Sequence, residues 1–334
     1  MNLNSLGDGV FYLAQSRTNT QLKTDLNRLT DQLSSGEIAD KAKALKGDTA
    51  RFSAIDHALA TLEPAVSRNR ETALLLDTMQ RTLDGLDIQR GAMAEDLTKI
   101  NAESPDLQVD DAARNALGRF EAMVSTLNTE VAGKRLFAGT AVDGPALASA
   151  EDMLADLVTA VGGTTDFLTI EVEVNAWFDD VGGGFETVGY LGDTGNPMTR
   201  RLDENRNATI EARADNAEIR ETLKGAAMAA LADALPGIGK QTKTALLFEG
   251  GLRLQSAAAQ VVNMQAKVGF LENEVDRAIT YQTAQQTSLG QARNDLINDD
   301  PFETASALQA LQIQLETHYQ LTARLARLSL AEYI

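Results

Sequence analysis

The chain contains no cysteine. That absence removes disulfide frameworks and every thiolate-based zinc, iron–sulfur or nucleophilic site. Histidine is nearly absent too: His57 and His318 are the only two in 334 residues, so neither a His-rich metal site nor a His-centred triad has material. Positive charge is scarce, with 30 Lys and Arg against 48 Asp and Glu and a formal net charge of -18. Nucleic acid and anionic membrane surfaces both need a clustered positive face, so neither is expected as a partner. No apolar run reaches the ~18 residues of a membrane span, and Met1 to Arg17 lack a basic region followed by an apolar core. Neither an anchor nor a cleaved secretory signal is expected.

What is present is aliphatic. Hydrophobic residues make up 43% of the chain and aromatics only 5%, the composition of long helices packed by Leu, Val and Ala. Apolar positions at the start follow heptad-like spacing, first Leu3, Leu6, Val10 and Leu13, then Leu22, Leu26, Leu29 and Leu33 after a slip in register. Such a stripe wants a partner helix. Ser34-Ser35-Gly36 ends the run, since glycine takes the left-handed conformation that closes a helix. A second helix is expected from about Arg51 to Ala102, interrupted at Ser104-Pro105-Asp106, and a third carries Leu117, Phe120, Val124, Leu127 and Val131 up to Gly133.

The middle has a different texture. Between Phe167 and Phe178, Ile170, Val172, Val174 and Ala176 alternate with Glu171, Glu173 and Asn175, which predicts a half-buried strand. Gly182-Gly183-Gly184 reads as a turn, Asn207 to Arg213 as a further strand, and Ala150 to Val161 as a short helix. Helical spacing returns near Ile219 and is sustained from Thr244. A last helix opens at Asp300-Pro301-Phe302-Glu303, an N-cap with proline at the first helical position, and carries Leu308, Leu311, Leu315, Leu321, Leu325 and Leu328.

Charge follows the same division. Residues 1–35 hold three acids and three bases, 301–334 three acids and two bases, and 143–222 seventeen acids and five bases. Near-neutral amphipathic ends associate closely, whereas an acidic middle belongs in solvent. The expected fold is mainly α: a helical coiled coil or bundle formed by the N- and C-terminal segments, with a small β-containing domain inserted in the middle. Three parts follow: 1–45 with 290–334 as a terminal coiled-coil inner core, 46–142 with 223–289 as a helical rod, and 143–222 as an acidic β-containing outer domain. The subunit-interface candidates are Leu22, Leu26, Leu29, Leu33, Leu308, Leu311, Leu315, Leu321, Leu325 and Leu328.

No chemistry-bearing motif competes with this structural reading. The acid pairs Asp110-Asp111, Asp179-Asp180 and Asp299-Asp300 lack the loop spacing of a calcium site. Gly182-Gly183-Gly184 has no lysine and no following helix N-terminus to cradle a phosphate. No nucleophile elbow, catalytic carboxylate pair or HExxH is present. No catalytic, cofactor-binding or metal residue is nominated, and no enzyme activity is expected.

Several short motifs add a resemblance. Leu29-Thr30-Asp31-Gln32-Leu33-Ser34-Ser35-Gly36, Gly133-Lys134-Arg135-Leu136-Phe137-Ala138-Gly139-Thr140, Tyr190-Leu191-Gly192-Asp193, Asp299-Asp300-Pro301 and Leu328-Ser329-Leu330-Ala331-Glu332-Tyr333-Ile334 resemble, in order and placement, segments of the flagellin superfamily and its hook-filament junction branch, the hook-associated proteins. The resemblance covers roughly 1–140 and 225–334. Residues Glu37 to Asp48 depart from it, lacking the family's proline-containing acidic stretch, so linker contacts are not carried over. It implies a structural adaptor at the bacterial flagellar hook-filament junction, polymerising as a ring homo-oligomer through its terminal helices. The implied partners are the first hook-associated junction protein, flagellin and a flagellar export chaperone, with no cofactor. The implied location is the extracellular flagellum, reached by type III export without a cleaved signal peptide. Bulk flagellin is the alternative within the superfamily, and a cytoplasmic helical signalling protein the alternative from another class.

Overall fold

The structure, a computed structural model, describes residues 4–41, 45, 49–131, 133–141, 144–195 and 197–331, with side chains left out at 4–9, 11 and 325–331. The chain is mainly α. In order it forms α1 (Asn4–Ser35), α2 (Thr49–Leu97), α3 (Asp106–Leu127), β1 (Glu130–Val131), β2 (Lys134–Arg135), α4 (Ala150–Val161), α5 (Phe167–Asp179), a π-helical turn (Phe185–Gly189), β3 (Met198–Arg201), β4 (Asn207–Ile210), α6 (Ala217–Ala234), α7 (Lys240–Ser256), α8 (Ala258–Ile297) and α9 (Pro301–Ala331). The strands make two antiparallel pairs, β1 with β2 and β3 with β4, the second in the register Met198 opposite Ile210. Contacts divide the chain into two compact units, 1–64 with 283–334, and 65–282.

The larger unit holds the main core. Its centre is α6, where every residue from Thr222 to Ala232 is buried; a helix apolar on all sides must be surrounded. Helices α7 and α3 lie directly against it. The approach of α7 is close because two glycines face one another: a Cβ on Gly250 would fall 2.7 Å from the Gly225 carbonyl and 2.9 Å from the Ala229 Cβ. Around them close Leu76, Met79, Leu83 and Leu86 of α2 and Phe120, Met123 and Leu127 of α3, all fully buried.

Two expectations are corrected. Residues Phe167 to Phe178 form helix α5 in place of a strand. The same apolar residues also satisfy helical spacing: Ile170, Val174, Trp177 and Phe178 are buried, while Val172, which a strand would place beside Ile170 and Val174, is 63% exposed. The Asp166 side chain accepts from the Thr169 amide at 3.0 Å and starts the helix. The third helix ends at Leu127, short of Gly133. There the Asn128 side chain donates to the Leu147 carbonyl and accepts from the Leu147 amide, both at 2.9 Å, which turns the chain into the β1–β2 hairpin.

A buried polar knot places the β3–β4 hairpin. Asn69 Nδ2 donates to the Leu202 carbonyl and to Gln282 Oε1, and Gln282 Nε2 donates to the same carbonyl, all at 2.9 Å. The hairpin end is thereby fixed on α2 and α8 by bonds that water cannot replace. The glycine contact yields a prediction: Gly250→Val, overpacking the α6–α7 crossing, lowers stability by about 1–3 kcal/mol, read as a lower midpoint of urea unfolding with an unchanged slope.

Candidate functional site

The candidate site is the surface built by the two ends of the chain. Helices α1 and α9 lie along one another in opposite directions. Gln32 Nε2 donates to Asp299 at 3.2 Å near one end of the pair, and Gln15 Nε2 donates to the Thr322 hydroxyl at 2.8 Å near the other. Between them the Lys23 ammonium sits 6.0 Å from the centre of the Tyr319 ring, a cation–π contact.

The nominated leucines separate into two groups. Leu22 is buried, and Leu26, Leu29, Leu308, Leu311 and Leu315 are half-buried. On α9, Leu308, Leu311 and Leu315 continue the three-and-four spacing of buried Thr304 and half-buried His318 and Thr322, one stripe of a helix. These positions line the intrachain side of the helix pair. Leu33 and Leu321 remain exposed, at 41% and 52%. The side chains of Leu325 and Leu328 lie outside the described residues.

A second apolar set, absent from the nominated list, faces outward: Val10, Tyr12 and Leu13 on α1, and Phe302 and Ile313 on α9, with Phe302 82% exposed. Phe302 and Ile313 are eleven residues apart, about three turns, so they share one side of α9. Val10 and Leu13 belong to the first heptad stripe of the sequence, and Tyr12, Phe302 and Ile313 lie off the stripes. Heptad spacing does not say which apolar side of a helix its partner covers, and an off-stripe residue reads equally as an isolated surface apolar group.

At the inner end of the helix pair the chain forms a latch. Gly36, at φ 72, closes α1 by donating its amide to the Gln32 carbonyl at 2.8 Å, as a left-handed C-terminal glycine does. The next residues pair with the chain entering α9: Glu37 bridges Asn298 in antiparallel fashion, the Ile38 amide donates to the Ile297 carbonyl at 2.9 Å, and the Asp299 amide donates to the Gly36 carbonyl at 3.0 Å. Asp299 also accepts from Gln32 and from the Thr304 hydroxyl. Its neighbour Asp300 caps α9 by accepting from the Phe302 amide at 2.9 Å, as the sequence indicates. The serine–serine–glycine and aspartate–aspartate–proline motifs are thus two halves of one structure.

Arg293 fastens this latch from α8. Its guanidinium reaches Glu37 at 3.1 Å and Asp56 at 3.0 Å and lies 5.8 Å from the centre of the Phe52 ring. Hydrogen bonds from Lys41 and then Arg293 hold the Glu37 carboxyl below its ordinary value, and the Glu37 bond raises Arg293. Sequence reading did not nominate Arg293, Glu37 or Asp56, because nothing local marks residues whose partners are 237 and 256 positions away.

The two internal motifs also meet. The Asp193 amide donates to the Ala138 carbonyl at 3.0 Å, and the Asp193 carboxylate accepts from the Thr140 hydroxyl and the Gly195 amide. Gly139, at φ 67, leaves no room for a side chain, since a Cβ would fall 2.8 Å from the Asp193 carbonyl. Tyr190 donates its hydroxyl to that carbonyl at 3.3 Å, and burial, aided by Asp215, raises its phenol well above the ordinary range. Among the described residues no group of three or more His, Asp or Glu could hold a metal, and no helix is long and apolar enough to cross a membrane.

These features define a class: a long-helix protein whose two chain ends pair in opposite directions and are tied at one end by a short latch. Residues 253–334, which carry the second half of that pairing, match the family model of the bacterial flagellin C-terminal helical region, so the C-terminal part of this chain is flagellin-like and the resemblance to the flagellin superfamily holds there. The match covers less than half of the chain. No curated protein matches. Among solved structures, FlgL of Bacillus cereus is similar at 12% identity, covering 77% of this chain and 99% of its own, with a TM-score of 0.36. A protein of Vibrio parahaemolyticus described as flagellar hook-associated is similar at 11% identity, covering 77% and 96%, with a TM-score of 0.38. Neither likeness carries a role over to this chain.

The latch makes a pH prediction. A carboxyl whose folded value is depressed contributes stability that is present above its ordinary value, here 4.5, and is lost as pH falls through the depressed one. Amide-exchange protection at Ile38 and Asp299, corrected for intrinsic rates, is therefore expected to fall below about pH 4.5. In Glu37→Gln that pH dependence disappears and protection is lower at neutral pH.

Proposed function

We propose that this chain is a structural adaptor of the bacterial flagellum at the hook-filament junction, assembling with copies of itself through the outward face of its paired terminal helices. One observation carries the reading. Among the described residues of the unit formed by 1–64 and 283–334, few apolar side chains are buried, chiefly Leu22, Leu45, Ile55 and Ile297, while Val10, Tyr12, Leu13, Phe302, Ile313 and Leu321 stay exposed. Two helices sharing one seam cannot bury both of their apolar sides, and full burial of each such side chain contributes about 1.5–3 kcal/mol. Further copies of the same helices would cover that surface, giving a continuous inner layer.

In this reading 1–45 and 290–334 form the inner layer, 46–142 and 223–289 the rod, and 143–222 the outer, acidic part. The partners are the first hook-associated junction protein on one side and flagellin on the other, with an export chaperone shielding the C-terminal helix before type III export to the extracellular flagellum. The match to the flagellin C-terminal region also favours a second reading, the bulk filament subunit. Copy number separates the two, because a filament subunit dominates the mass of isolated flagella.

Deleting the gene tests the role: hooks are expected to lack filament and flagellin to accumulate in the medium, whereas normal filaments on such hooks would contradict it. Two substitutions test the surface. Leu321→Asp, on an exposed position, is expected to change monomer stability by no more than about 0.5 kcal/mol and yet prevent assembly on hooks. Leu22→Asp buries an unpaired charge in the seam and is expected to separate α1 from α9, read as lost amide protection in both helices.

A further inference from the structure

We propose that the arginine-bearing β3–β4 hairpin of one copy docks on the acidic α4–α5 face of a second copy. This contact lies wholly within the 65–282 unit and does not depend on the terminal helices.

The acidic side is unusual in its purity. Between Arg135 and Arg200 the sequence has no Lys or Arg, and residues 143–197 hold eleven Asp and Glu. Some of these are engaged: Glu171 pairs with Arg253 at 2.7 Å and Asp179 with Lys224 at 2.7 Å. Glu151, Glu173, Asp180 and Glu186 have no cationic partner among the described residues. They lie on α4, α5 and the segment after it, where Leu168 and Val172 are also exposed, so a docking partner would find apolar as well as charged surface.

The basic side is built around the Asn69–Gln282 knot. That knot grips the carbonyl of Leu202, so the strand end that bears half-buried Arg200 and exposed Arg201 is held against the turn of α2 that bears exposed Arg68 and Arg70 on either side of Asn69. None of these four arginines has a carboxylate partner among the described residues. Arg201 donates only to the Asp203 carbonyl, and the Nε of Arg200 is sealed from solvent with no hydrogen-bond partner. The acids nearby in sequence are Glu71, Asp203 and Glu204, and Asp203 is already occupied by Arg206 at 2.7 Å. The locality therefore remains positive in a chain whose net charge is -18.

A second copy of the chain fits these facts. An unpaired cationic patch on a strongly acidic protein repels little of its own kind and meets its complement on every other copy. Because the two patches are different surfaces, the contact is heterologous. Repeated, it yields a ring or an open helical array, which is the geometry a tubular assembly requires.

The absence of cysteine makes the test direct. Asn205→Cys in the hairpin turn and Val181→Cys after α5, both exposed positions, are placed in separate full-length chains, mixed in equal amounts and oxidised at low salt. The mixed disulfide is expected to exceed either symmetric one by about tenfold and to be lost in ~0.5 M salt. Arg200→Gln with Arg201→Gln in the hairpin copy is expected to reduce it about tenfold, and so is Arg200→Glu with Arg201→Glu. Glu173→Lys with Asp180→Lys in the other copy is expected to restore it against the glutamate pair, circular dichroism verifying that each variant is folded. Yields equal to the symmetric disulfides, or unmoved by the glutamine pair, would overturn the proposal. So would saturable binding of inorganic phosphate at the arginines without a mixed disulfide, which would make the patch an anion site. Repeating the mixture in a Leu321→Asp background separates this contact from the terminal one: the mixed disulfide is expected to persist there even where assembly on hooks fails.

Discussion

The terminal unit depends on one short pairing, that of Gly36–Ile38 with Ile297–Asp299. Gln32 and Asp299, which meet beside it, are 267 positions apart in the chain, and holding such distant segments together carries a loop-closure cost that local helix propensity does not offset. The latch meets that cost with backbone hydrogen bonds, with Asp299 accepting from two side chains, and with Arg293 bound to carboxylates on two segments. Once it is closed, α1 and α9 leave it as a pair. Their register then follows, because each helix starts or ends at a fixed residue: Gly36 closes one and Asp300 opens the other.

That geometry also leaves the unit unfinished. A seam of half-buried leucines joins the two helices, yet their opposite sides carry Leu13, Phe302 and Ile313 into solvent. The larger unit shows the contrast, for its central helix α6 is enclosed on every side. One part of the chain satisfies its own apolar surface and the other does not. The proposed assembly uses the second part, and the near-neutral charge of both ends removes the repulsion that would oppose it. The acidic middle, by contrast, keeps copies apart except where a cationic patch such as that around Arg200 offers a complement.

Much of this was legible in the sequence where signals are local. The helix stop at Gly36, the cap at Asp300 and the bounds of Ala150–Val161 follow from residues within a turn of each boundary. The reading failed at Phe167 to Phe178 because Ile170, Val172 and Val174 satisfy both a two-residue and a partly helical period. Tertiary burial of Trp177 and Phe178, with Phe178 stacked on Phe185 and Trp177 edge-on to both, decided for the helix. It also failed to divide the leucine stripe: Leu22 and Leu321 look alike in sequence, but one faces the partner helix and the other faces water. The latch residues Glu37, Asp56 and Arg293 were beyond reach for a different reason, since ion pairs between distant segments leave no periodic trace.

The central claim is that the paired ends act as one element, closed within each chain and associating between chains by the opposite face. Spin labels at Gln15→Cys and Thr322→Cys, in a cysteine-free chain diluted into an excess of unlabelled copies and assembled on hooks, measure the intrachain separation directly. The account predicts a single short distance, the same in assembled and unassembled protein, because the two side chains are hydrogen-bonded at 2.8 Å within one chain. A long or broad distance distribution after assembly would contradict it, since the helices would then have exchanged partners between chains.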